Sequence, residues 1–330
     1  MIISRTPYRI SFFGGGTDYP DWYLKNGGSV LSSTINKYCY ITAKYSTNLN
    51  ETHHKIIWTH IENVYSFKDI LHPAVREGLQ QLNLDESKGL EIYHSGDLPA
   101  RTGIGSSSSF CVGLINTLSN LVGNPLNKMD LALKAIELEQ DILNEKVGSQ
   151  DQVAASFGGL NKIIFNTNGS IEVKKIDVSD EAIKTLNNNI ALYYTGTRIG
   201  RNSSDVISDM VSNFDSNISL LTELESFVDE GIALLKKSDI TNFGKLLNES
   251  WKIKKSLGKE ISNKQINDIY DIAMNNGAYG GKILGAGGAG FIMFVVPESN
   301  KKTLRSALNR YSEVSFEFEN TGSSIILNSK

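Results

Sequence analysis

The amino-acid sequence predicts an α+β protein with two domains. Its first half carries many alternating or β-branched strand patterns and few helical ones, whereas residues 204–275 are mainly helical in pattern. Strands and helices do not alternate regularly, which favours mixed or antiparallel sheets over a parallel βαβ sheet. A length of 330 residues suits two domains, which we predict at residues 1–185 and 186–330.

The individual elements follow from apolar periodicity and from breaker residues. Strands are predicted at residues 2–13, 30–45, 55–61, 90–94, 160–165, 171–176 and 190–194. Helices are predicted at residues 70–82, 107–121 and 129–144. A turn containing Asn and Ser is predicted near residues 180–189, between the two domains. After residue 275 we expect a glycine-rich segment and then strand, helix, strand and strand.

Composition argues against several classes of partner and site. The 33 basic and 36 acidic residues give a formal charge of −3, which does not suit a nucleic-acid partner. Cys39 and Cys111 lie in apolar stretches, so neither a disulfide framework nor a thiolate zinc site is expected. Arg5 and Arg9 interrupt any signal-peptide core, and the longest apolar run, residues 291–296, is too short for a bilayer. We therefore expect a cytoplasmic protein with no membrane partner.

A loop rich in glycine and serine precedes the helix predicted at residues 107–121. Residues 98–109 read LPARTGIGSSSS, in which Gly103 and Gly105 permit close backbone approach and positive φ angles. The serines offer hydroxyls where a helix N-terminus favours a phosphate. A phosphate-binding loop and an ordinary serine-capped helix both explain the pattern. The Walker P-loop sequence does not occur.

Residues 285–290 match the G-x-G-x-x-G pattern of dinucleotide-binding proteins. That fingerprint requires a helix directly after the glycines. Here the apolar residues 291–296 predict a buried strand, closed by Pro297. The order of elements therefore argues against a nicotinamide-dependent dehydrogenase, and a glycine turn that lines a ligand cleft is the remaining interpretation.

A glutamate falls on the apolar face of the helix predicted at residues 129–144. At about 100° per residue, Glu139 lies between Ala135 and Leu143, while charged residues occupy the opposite face. A carboxylate directed inward is costly unless it is paired or binds a metal. A salt bridge to Arg or Lys explains this position, and so does Mg²⁺ held together with a serine hydroxyl and phosphate oxygens.

Asp151 lies at the start of a stretch of small residues that is predicted to be helical. Residues 147–155 read VGSQDQVAA. The carboxylate can cap the helix, or it can act as a general base that takes a proton from an alcohol. The five histidines contain no His-x-x-x-His pair on a predicted helix, so a histidine metal site is not expected.

Three of these segments, taken in order, resemble the GHMP kinases, the superfamily of galactokinase and of homoserine, mevalonate and phosphomevalonate kinases. The segments are RISFFGGGTDYP at residues 9–20, the loop at 99–109 and KILGAGGAG at 282–290. Within the superfamily they are most similar to the D-glycero-D-manno-heptose 7-phosphate kinases, with VGSQDQ at 147–152 and YTGTR at 194–198 as supporting stretches. The resemblance implies an N-terminal α+β domain, a ferredoxin-like C-terminal domain and an active site in the cleft between them.

The resemblance also implies roles for particular residues. Asp151 is expected to accept the hydroxyl proton, with Arg9 close to the attacking oxygen, and Mg²⁺ is expected at Ser107 and Glu139. The residues expected to bind ATP are Pro99, Arg101, Gly103, Ile104, Gly105, Ser106, Ser107, Ser108 and Ser109. The residues expected to bind the acceptor are Gly15, Gly16, Thr17, Asp18, Gly287 and Gly288.

One departure from the family pattern concerns the acceptor. Galactokinases have Gly-Glu-His-Thr-Asp where residues 14–18 read Gly-Gly-Gly-Thr-Asp. Two sugar-contacting side chains are therefore absent, which argues against galactose and leaves room for a longer sugar. The resemblance implies phosphorylation of O1 of D-glycero-D-manno-heptose 7-phosphate, which would supply nucleotide-activated heptose for capsule or lipopolysaccharide. Fucose, N-acetylhexosamine and galactose-like acceptors are the alternatives, as is a non-catalytic sugar sensor on the same fold.

A last hypothesis concerns the phosphate of such an acceptor. Residues 195–204 read TGTRIGRNSS, between a predicted strand and a helix that is predicted to begin near Asp205. Arg198 and Arg201, with the hydroxyls and the helix N-terminus, suit an anion. A capped helix with two solvated arginines explains the segment equally well. The protein is expected to be a monomer or a homodimer.

Overall fold

Two β-sheets organise the chain in the computed structural model, which describes residues 1–46, 53–197 and 210–329. The strands are β1 (Ile2–Phe13), β2 (Gly28–Tyr45), β3 (His54–Ile57), β4 (Ile61–Val64), β5 (Leu90–Gly96), β6 (Leu160–Phe165), β7 (Ile171–Lys175), β8 (Ile190–Tyr194), β9 (Gly280–Ile283), β10 (Phe291–Val295), β11 (Ser312–Glu313), β12 (Phe318–Glu319) and β13 (Ser324–Asn328). The α-helices are α1 (Pro20–Asn26), α2 (Pro73–Gln81), α3 (Ser106–Leu121), α4 (Lys128–Ile136), α5 (Gln150–Phe157), α6 (Asp180–Asn188), α7 (Ile218–Lys236), α8 (Ile240–Ser256), α9 (Lys264–Asn275) and α10 (Lys301–Ala307). Short 3₁₀ turns lie at Phe67–Asp69, Phe214–Ser216 and Glu298–Asn300.

The larger sheet is built on the long antiparallel pair β1–β2. Its main path runs β13-β1-β2-β5-β3-β4, and β6 and β12 also pair with β2 while β7 pairs with β6. In the described part of the sheet, the β3–β5 pair is parallel and the other pairs are antiparallel. Arg9 pairs with Thr34 in this ladder, which fixes the guanidinium at the end of β1 that faces the glycine-serine loop.

The smaller sheet has the strand order β11-β8-β10-β9, with antiparallel neighbours. In chain order this is 4-1-3-2, with helices between the first and second strands and between the third and fourth. That arrangement is the split βαβ of ferredoxin-like folds, so the predicted ferredoxin-like C-terminal domain is confirmed. Helix α8 packs on β9 and β10 and buries Phe243, Leu247 and Trp251.

Some predicted elements are observed with the same bounds, others begin or end one to three residues away, and the segments at 55–61 and 129–144 differ in kind. Strands β1, β6 and β8 match their predictions. The single strand predicted at residues 55–61 is instead a hairpin, β3–β4, because Trp58 N donates to His60 O and turns the chain. The helix predicted at 129–144 is α-helical through Ile136 and then continues as the π-helix Glu137–Ile142.

The turn predicted near residues 180–189 is wrong, because this segment forms helix α6. Ser179 caps it by accepting a hydrogen bond from Ala182 N, and Asp180 and Glu181 favour its N-terminus. Ala182 and Leu186 are four residues apart and bury one face. The division at residue 185 stays a prediction, although β12 and β13 return to pair with β2 and β1 of the larger sheet.

Among the described residues, no helix combines the length and the apolar character that a membrane crossing requires. The helix predicted to begin near Asp205 lies outside the described residues.

Candidate active site

One cavity draws its lining from both sheets and from helices α3, α5 and α8. The predicted site residues that line it are Arg9, Gly15, Gly16, Asp18, Arg101, Gly103, Gly105, Ser106, Ser107, Ser108 and Asp151. Those that do not line it are Thr17, Pro99, Ile104, Ser109, Glu139, Gly287 and Gly288. Segments far apart in sequence therefore meet at one place.

The glycine-serine loop ends in a left-handed turn that starts helix α3. Gly105, with φ of 73°, is the N-cap residue and Ser106 begins the helix, so the serines do not cap it. A Cβ on Gly103 would lie 2.3 Å from the Leu284 carbonyl oxygen, and this contact requires glycine. The serine-capped interpretation is therefore wrong, and backbone N–H groups and the Ser106, Ser107 and Ser108 side chains are left along the cavity.

Three residues of the loop hold it in place and do not line the cavity. Ile104 is fully buried, and its carbonyl accepts a hydrogen bond from Arg9 N at 3.1 Å. Ser109 Oγ donates to Pro7 O at 3.0 Å, and the Pro99 carbonyl accepts from Thr102 Oγ1 at 2.7 Å. These contacts tie the loop to β1 and close its own turn.

Arg9 links the loop to Asp151. Its Nε and Nη2 donate to the two carboxylate oxygens of Asp151 at 2.6 Å each, and Nη1 donates to Gly103 O at 2.7 Å. Arg9 is 3% exposed, so its half of this bidentate pair is shielded from bulk water. Such forked hydrogen bonds fix the plane of the carboxylate.

Asp151 lies in the first turn of α5, where a capping role was one interpretation. Its carboxylate binds Arg9 instead, and the N-cap Ser149 makes no capping bond. The side chain keeps 20% exposure and lines the cavity. Carboxylate oxygens have further lone pairs, so Asp151 can still accept a hydrogen bond from a hydroxyl in the cavity.

Glu139 is buried behind Ser107, at 1% exposure, within the π-helix. Its Oε1 accepts from Ser107 Oγ at 2.8 Å, and its Oε2 accepts from Gln152 Nε2 at 2.6 Å. Burial raises the pKa of Glu139 to about 7, although the serine and glutamine hydrogen bonds oppose the shift. In the part of the chain that the structure describes, no Lys or Arg pairs with this carboxylate, so the predicted salt bridge is not seen there.

The donor set around Ser107 fits Mg²⁺. A buried carboxylate held by neutral donors lacks a compensating positive charge. Oxygen ligands from a hydroxyl, a carboxylate and phosphates are those that Mg²⁺ prefers. Over residues 1–46, 53–197 and 210–329, no cluster of three or more His, Cys, Asp or Glu side chains could hold a metal by itself. A cation at Ser107 and Glu139 would therefore share its shell with phosphate oxygens.

Asp18 closes the other side of the cavity. Its Oδ1 accepts from Gly16 N and its Oδ2 from Gln150 Nε2, each at 2.9 Å, and burial raises its pKa. A Cβ on Gly148 would lie 1.9 Å from Asp18 Oδ2, so the VGSQDQ segment packs directly on this carboxylate. Thr17 faces away, and its hydroxyl donates to the Gly14 and Ser29 carbonyls.

The second glycine run forms the turn between β9 and β10, as the argument against a dinucleotide fold predicted. A Cβ on Gly285 would lie 2.5 Å from Gly103 Cα, so the two glycine segments touch. Gly285, Ala286 and Ala289 line the cavity. Gly287 and Gly288 instead approach Ile261, whose carbonyl accepts from Gly288 N at 3.0 Å.

Sequence reasoning missed two buried lysines in the cavity, Lys254 and Lys282. Lys254 follows Phe243, Leu247 and Trp251 on the buried face of α8. The helical-wheel argument that singled out Glu139 also finds Lys254. Lys282 lies in the wholly buried strand β9, where a lone lysine is itself the signal. Arg198 and Arg201, predicted to bind phosphate, lie outside the described residues.

Comparisons with known proteins agree with this architecture. Family profiles match as the GHMP kinases N terminal domain at residues 69–159 and as GHMP kinases C terminal at 232–316. A D-glycero-alpha-D-manno-heptose 7-phosphate kinase of Campylobacter jejuni is 28% identical over 324 residues, covering 94% of this chain and 93% of the relative. A galactokinase of Pyrococcus furiosus is 24% identical over 350 residues, with 94% and 93% covered. The crystal structure of a D-glycero-D-manno-heptose 1-phosphate kinase from Bacteroides thetaiotaomicron covers 100% of both chains, with a TM-score of 0.82 at 24% identity.

The fold is that of a two-domain phosphotransferase, and the paired Arg9 and Asp151 lie in its cavity beside the glycine-serine loop. The chain belongs to the GHMP kinases, which are ATP-dependent phosphotransferases that use Mg²⁺. Sugar kinases of that family are among its relatives.

Proposed function

We propose that this kinase phosphorylates O1 of D-glycero-D-manno-heptose 7-phosphate to give the 1,7-bisphosphate. The observation that carries the proposal is the similarity to a heptose 7-phosphate kinase along nearly the whole of both chains. The product is a sugar 1-phosphate of the kind that nucleotidyl transfer consumes, which suits a role in nucleotide-activated heptose synthesis for surface polysaccharides.

The acceptor side of the cavity supports a bulky sugar. Gly15 and Gly16 present no side chains there, and a Cβ on Gly15 would have its nearest neighbours at 3.7 and 3.8 Å, Ser11 Oγ and Gln150 Nε2. The buried carboxylate of Asp18 lies beside them and can accept hydrogen bonds from sugar hydroxyls. This wall therefore offers polar contacts without filling the space that a seven-carbon sugar needs.

The chemistry that we propose places Asp151 at the reacting hydroxyl. O1 attacks the γ-phosphorus of ATP, the bond to the β,γ-bridging oxygen breaks, ADP leaves, and the O1 proton passes to Asp151. Arg9 holds both oxygens of that carboxylate, so the acceptor oxygen meets it in a fixed orientation. Because phosphoryl transfer demands little covalent work from the protein, positioning and charge neutralisation carry the rate.

The nucleotide side of the cavity supplies groups that can neutralise the charge of the ATP phosphates. The N-terminus of α3 and the Ser106, Ser107 and Ser108 hydroxyls face the cavity, where they can bind phosphate oxygens. Ser107 and Glu139 would hold Mg²⁺, which neutralises charge on the phosphates when it is bound. These contacts also argue against a non-catalytic sugar sensor, since a sensor needs neither a metal-ready carboxylate nor a clamped base.

An acceptor screen with Mg²⁺ and ATP tests the proposal. We expect kcat/KM for D-glycero-D-manno-heptose 7-phosphate to exceed that for L-fucose, D-galactose and N-acetylhexosamines by about 100-fold or more. A ³¹P NMR spectrum of the product should show a new phosphate on the anomeric oxygen. If the enzyme prefers an unphosphorylated sugar, that sugar replaces the proposed acceptor. If none of these acceptors supports ATP turnover, the non-catalytic sensor is favoured.

A further inference from the structure

Two lysine ammonium groups are buried in the cavity. Lys254 of α8 is 9% exposed and Lys282 of β9 is 4% exposed, and both line the cavity. Lys254 Nζ donates to the Gly285 carbonyl at 2.6 Å, and Lys282 Nζ donates to the Phe12 carbonyl at 2.9 Å. Fully buried lysines are rare because the charged head loses its hydration. Packing alone therefore does not explain why two lysines are buried here.

Neither ammonium group is neutralised by an ion pair within the described residues. Each has three donors, and each makes one hydrogen bond to a neutral carbonyl oxygen. Burial lowers the pKa of Lys254 to about 8, with Arg9 adding to the shift and Asp18 and Asp151 opposing it. Burial also lowers the pKa of Lys282; Lys254 and Arg9 add to that shift, and Asp18 opposes it. Free donors, and ammonium groups that no direct ion pair holds over the described ranges, are thus concentrated at one side of the cavity, with the Asp18 carboxylate nearby.

The contacts of Lys282 place it on the acceptor side, and Lys254 lies between it and the turn that touches the glycine-serine loop. Phe12 lies at the end of β1, just before the glycine turn that leads to Gly15, Gly16 and Asp18. Lys254 is bonded to the glycine turn after β9, and Asp151 is among the charges that act on it. The two ammonium groups thus extend from the neighbourhood of Asp151 toward the acceptor wall. Arg9, by contrast, is already paired with Asp151 and has no charge to spare for a ligand.

We propose that Lys254 and Lys282 form the subsite for the phosphate that the acceptor carries before the reaction. This inference rests on the proposed function, because an acceptor with O1 at Asp151 and a phosphate at its far end spans this side of the cavity. A phosphate dianion fits better than a carboxylate, since it offers three acceptor oxygens and two charges to two ammonium groups. Lysine serves as a point-charge ligand for phosphate where the bidentate geometry of arginine is not needed. The predicted Arg198 and Arg201 site is a separate hypothesis about another segment.

The test compares a phosphorylated and an unphosphorylated acceptor in the full-length enzyme. The variants are Lys254→Gln and Lys282→Gln, which keep a donor for the carbonyl and remove the charge, and the matched control is Lys252→Gln on the exposed face of α8. We expect each buried variant to raise KM for D-glycero-D-manno-heptose 7-phosphate by about 10- to 100-fold, the worth of a charge-assisted hydrogen bond. The KM for ATP and the rate with unphosphorylated D-glycero-D-manno-heptose should change less than about threefold.

Other outcomes would overturn the proposal. Equal losses with both sugars, or a loss in kcat alone, would assign the lysines to the transferred phosphoryl group. If Gln destabilises the fold, Lys254→Met and Lys282→Met provide a second pair, because an apolar chain of similar length suits a buried site.

Binding without turnover separates this inference from the proposed function. Heptose 7-phosphate alone, without ATP, should raise the melting temperature of the wild-type enzyme and of Lys252→Gln but not of the two buried variants. Stabilisation without turnover in the wild type would refute the proposed reaction and keep the phosphate subsite. If turnover is unchanged in the two buried variants, the proposed reaction stands and the phosphate subsite is refuted.

Discussion

The two ends of the cavity, which we propose bind the nucleotide and the acceptor, bury different charges: one buries the Glu139 carboxylate, and the other buries two ammonium groups near the Asp18 carboxylate. At the nucleotide end, Glu139 is held by the neutral donors of Ser107 and Gln152. At the acceptor end, Lys254 and Lys282 are held by neutral carbonyls. Between them, Arg9 and Asp151 pair with each other.

This difference separates two uses of buried charge. An internal pair such as Arg9 and Asp151 fixes geometry, because each charge compensates the other whether or not a ligand is bound. A buried charge with neutral partners is costly in the free protein, and a ligand that brings the opposite charge removes this cost. We therefore infer that the unpaired ends bind the ligands and that the paired middle orients the reacting groups.

The largest effect is expected where the central pair is broken. Asp151→Asn keeps the size of the side chain and one acceptor for Arg9, so the fold should survive. Turnover should fall by about 10²–10⁴, the usual contribution of a positioned general base, while ATP affinity should change little. Steady-state kinetics and nucleotide titration measure both quantities.

The matched control for this variant is Asp141→Asn, at an exposed position in the π-helix Glu137–Ile142. It should leave turnover within about twofold of the wild type, since exposed substitutions seldom matter. Near-normal turnover in Asp151→Asn itself would reduce Asp151 to a positioning partner of Arg9.

An intermediate effect is expected at the nucleotide end. Glu139→Gln removes the charge that would hold Mg²⁺ and should lower activity by about 10- to 100-fold. Because the folded pKa of Glu139 is raised to about 7, its ionisation destabilises the free protein as pH rises from 4.5 to 7. At pH 8 the ligand-free variant should therefore melt at the same or a higher temperature than the wild type, while stabilisation by Mg-ATP shrinks.

Glu137→Gln is the control for this position, since Glu137 is more exposed and pairs with Lys134. It should alter neither Mg-ATP stabilisation nor activity. A marked drop in the melting temperature of ligand-free Glu139→Gln would instead show that the carboxylate supports the fold.

The last effect is on stability and leaves activity unchanged, because it concerns a buried ionisable group that does not line the cavity. His54 is fully buried, and neither ring nitrogen has a hydrogen-bond partner among the described residues. Burial, with His53 adding, lowers its pKa to about 4. The unfolded chain therefore binds the proton first, so the free energy of unfolding should fall as pH drops from about 6.5 to 4, by on the order of 3 kcal/mol.

Urea unfolding of His54→Phe at several pH values measures this contribution. The variant should show a shallower pH dependence between 6.5 and 4 than the wild type, and His60→Phe, at an exposed position, should not. Identical slopes for the wild type and His54→Phe would mean that His54 takes up its proton in the folded state, and burial alone would no longer explain which groups stay neutral.

The sequence by itself determined the class of fold and much of the candidate site. Periodicity placed β1, β6 and β8 at their observed bounds, because buried strands carry their pattern locally. The inward position of Glu139 was also readable, since a helical wheel is a local property. The order of glycine turn and strand at residues 285–291 excluded the dinucleotide fold for the same reason.

Tertiary structure alone decided which charges meet. Arg9 and Asp151 are 142 residues apart, and only the folding of β1 against α3 and α5 brings them to 2.6 Å. The same packing turned Ser109 and Thr17 toward backbone carbonyls and left Ser107 on the cavity, although all three hydroxyls look alike in the sequence. Lys254 and Lys282 line one cavity because α8 and β9 pack beside each other. Propensity and periodicity act over a few residues, whereas burial and electrostatic pairing depend on contacts between distant segments. The sequence could therefore indicate candidate charged residues but not which of them contact each other.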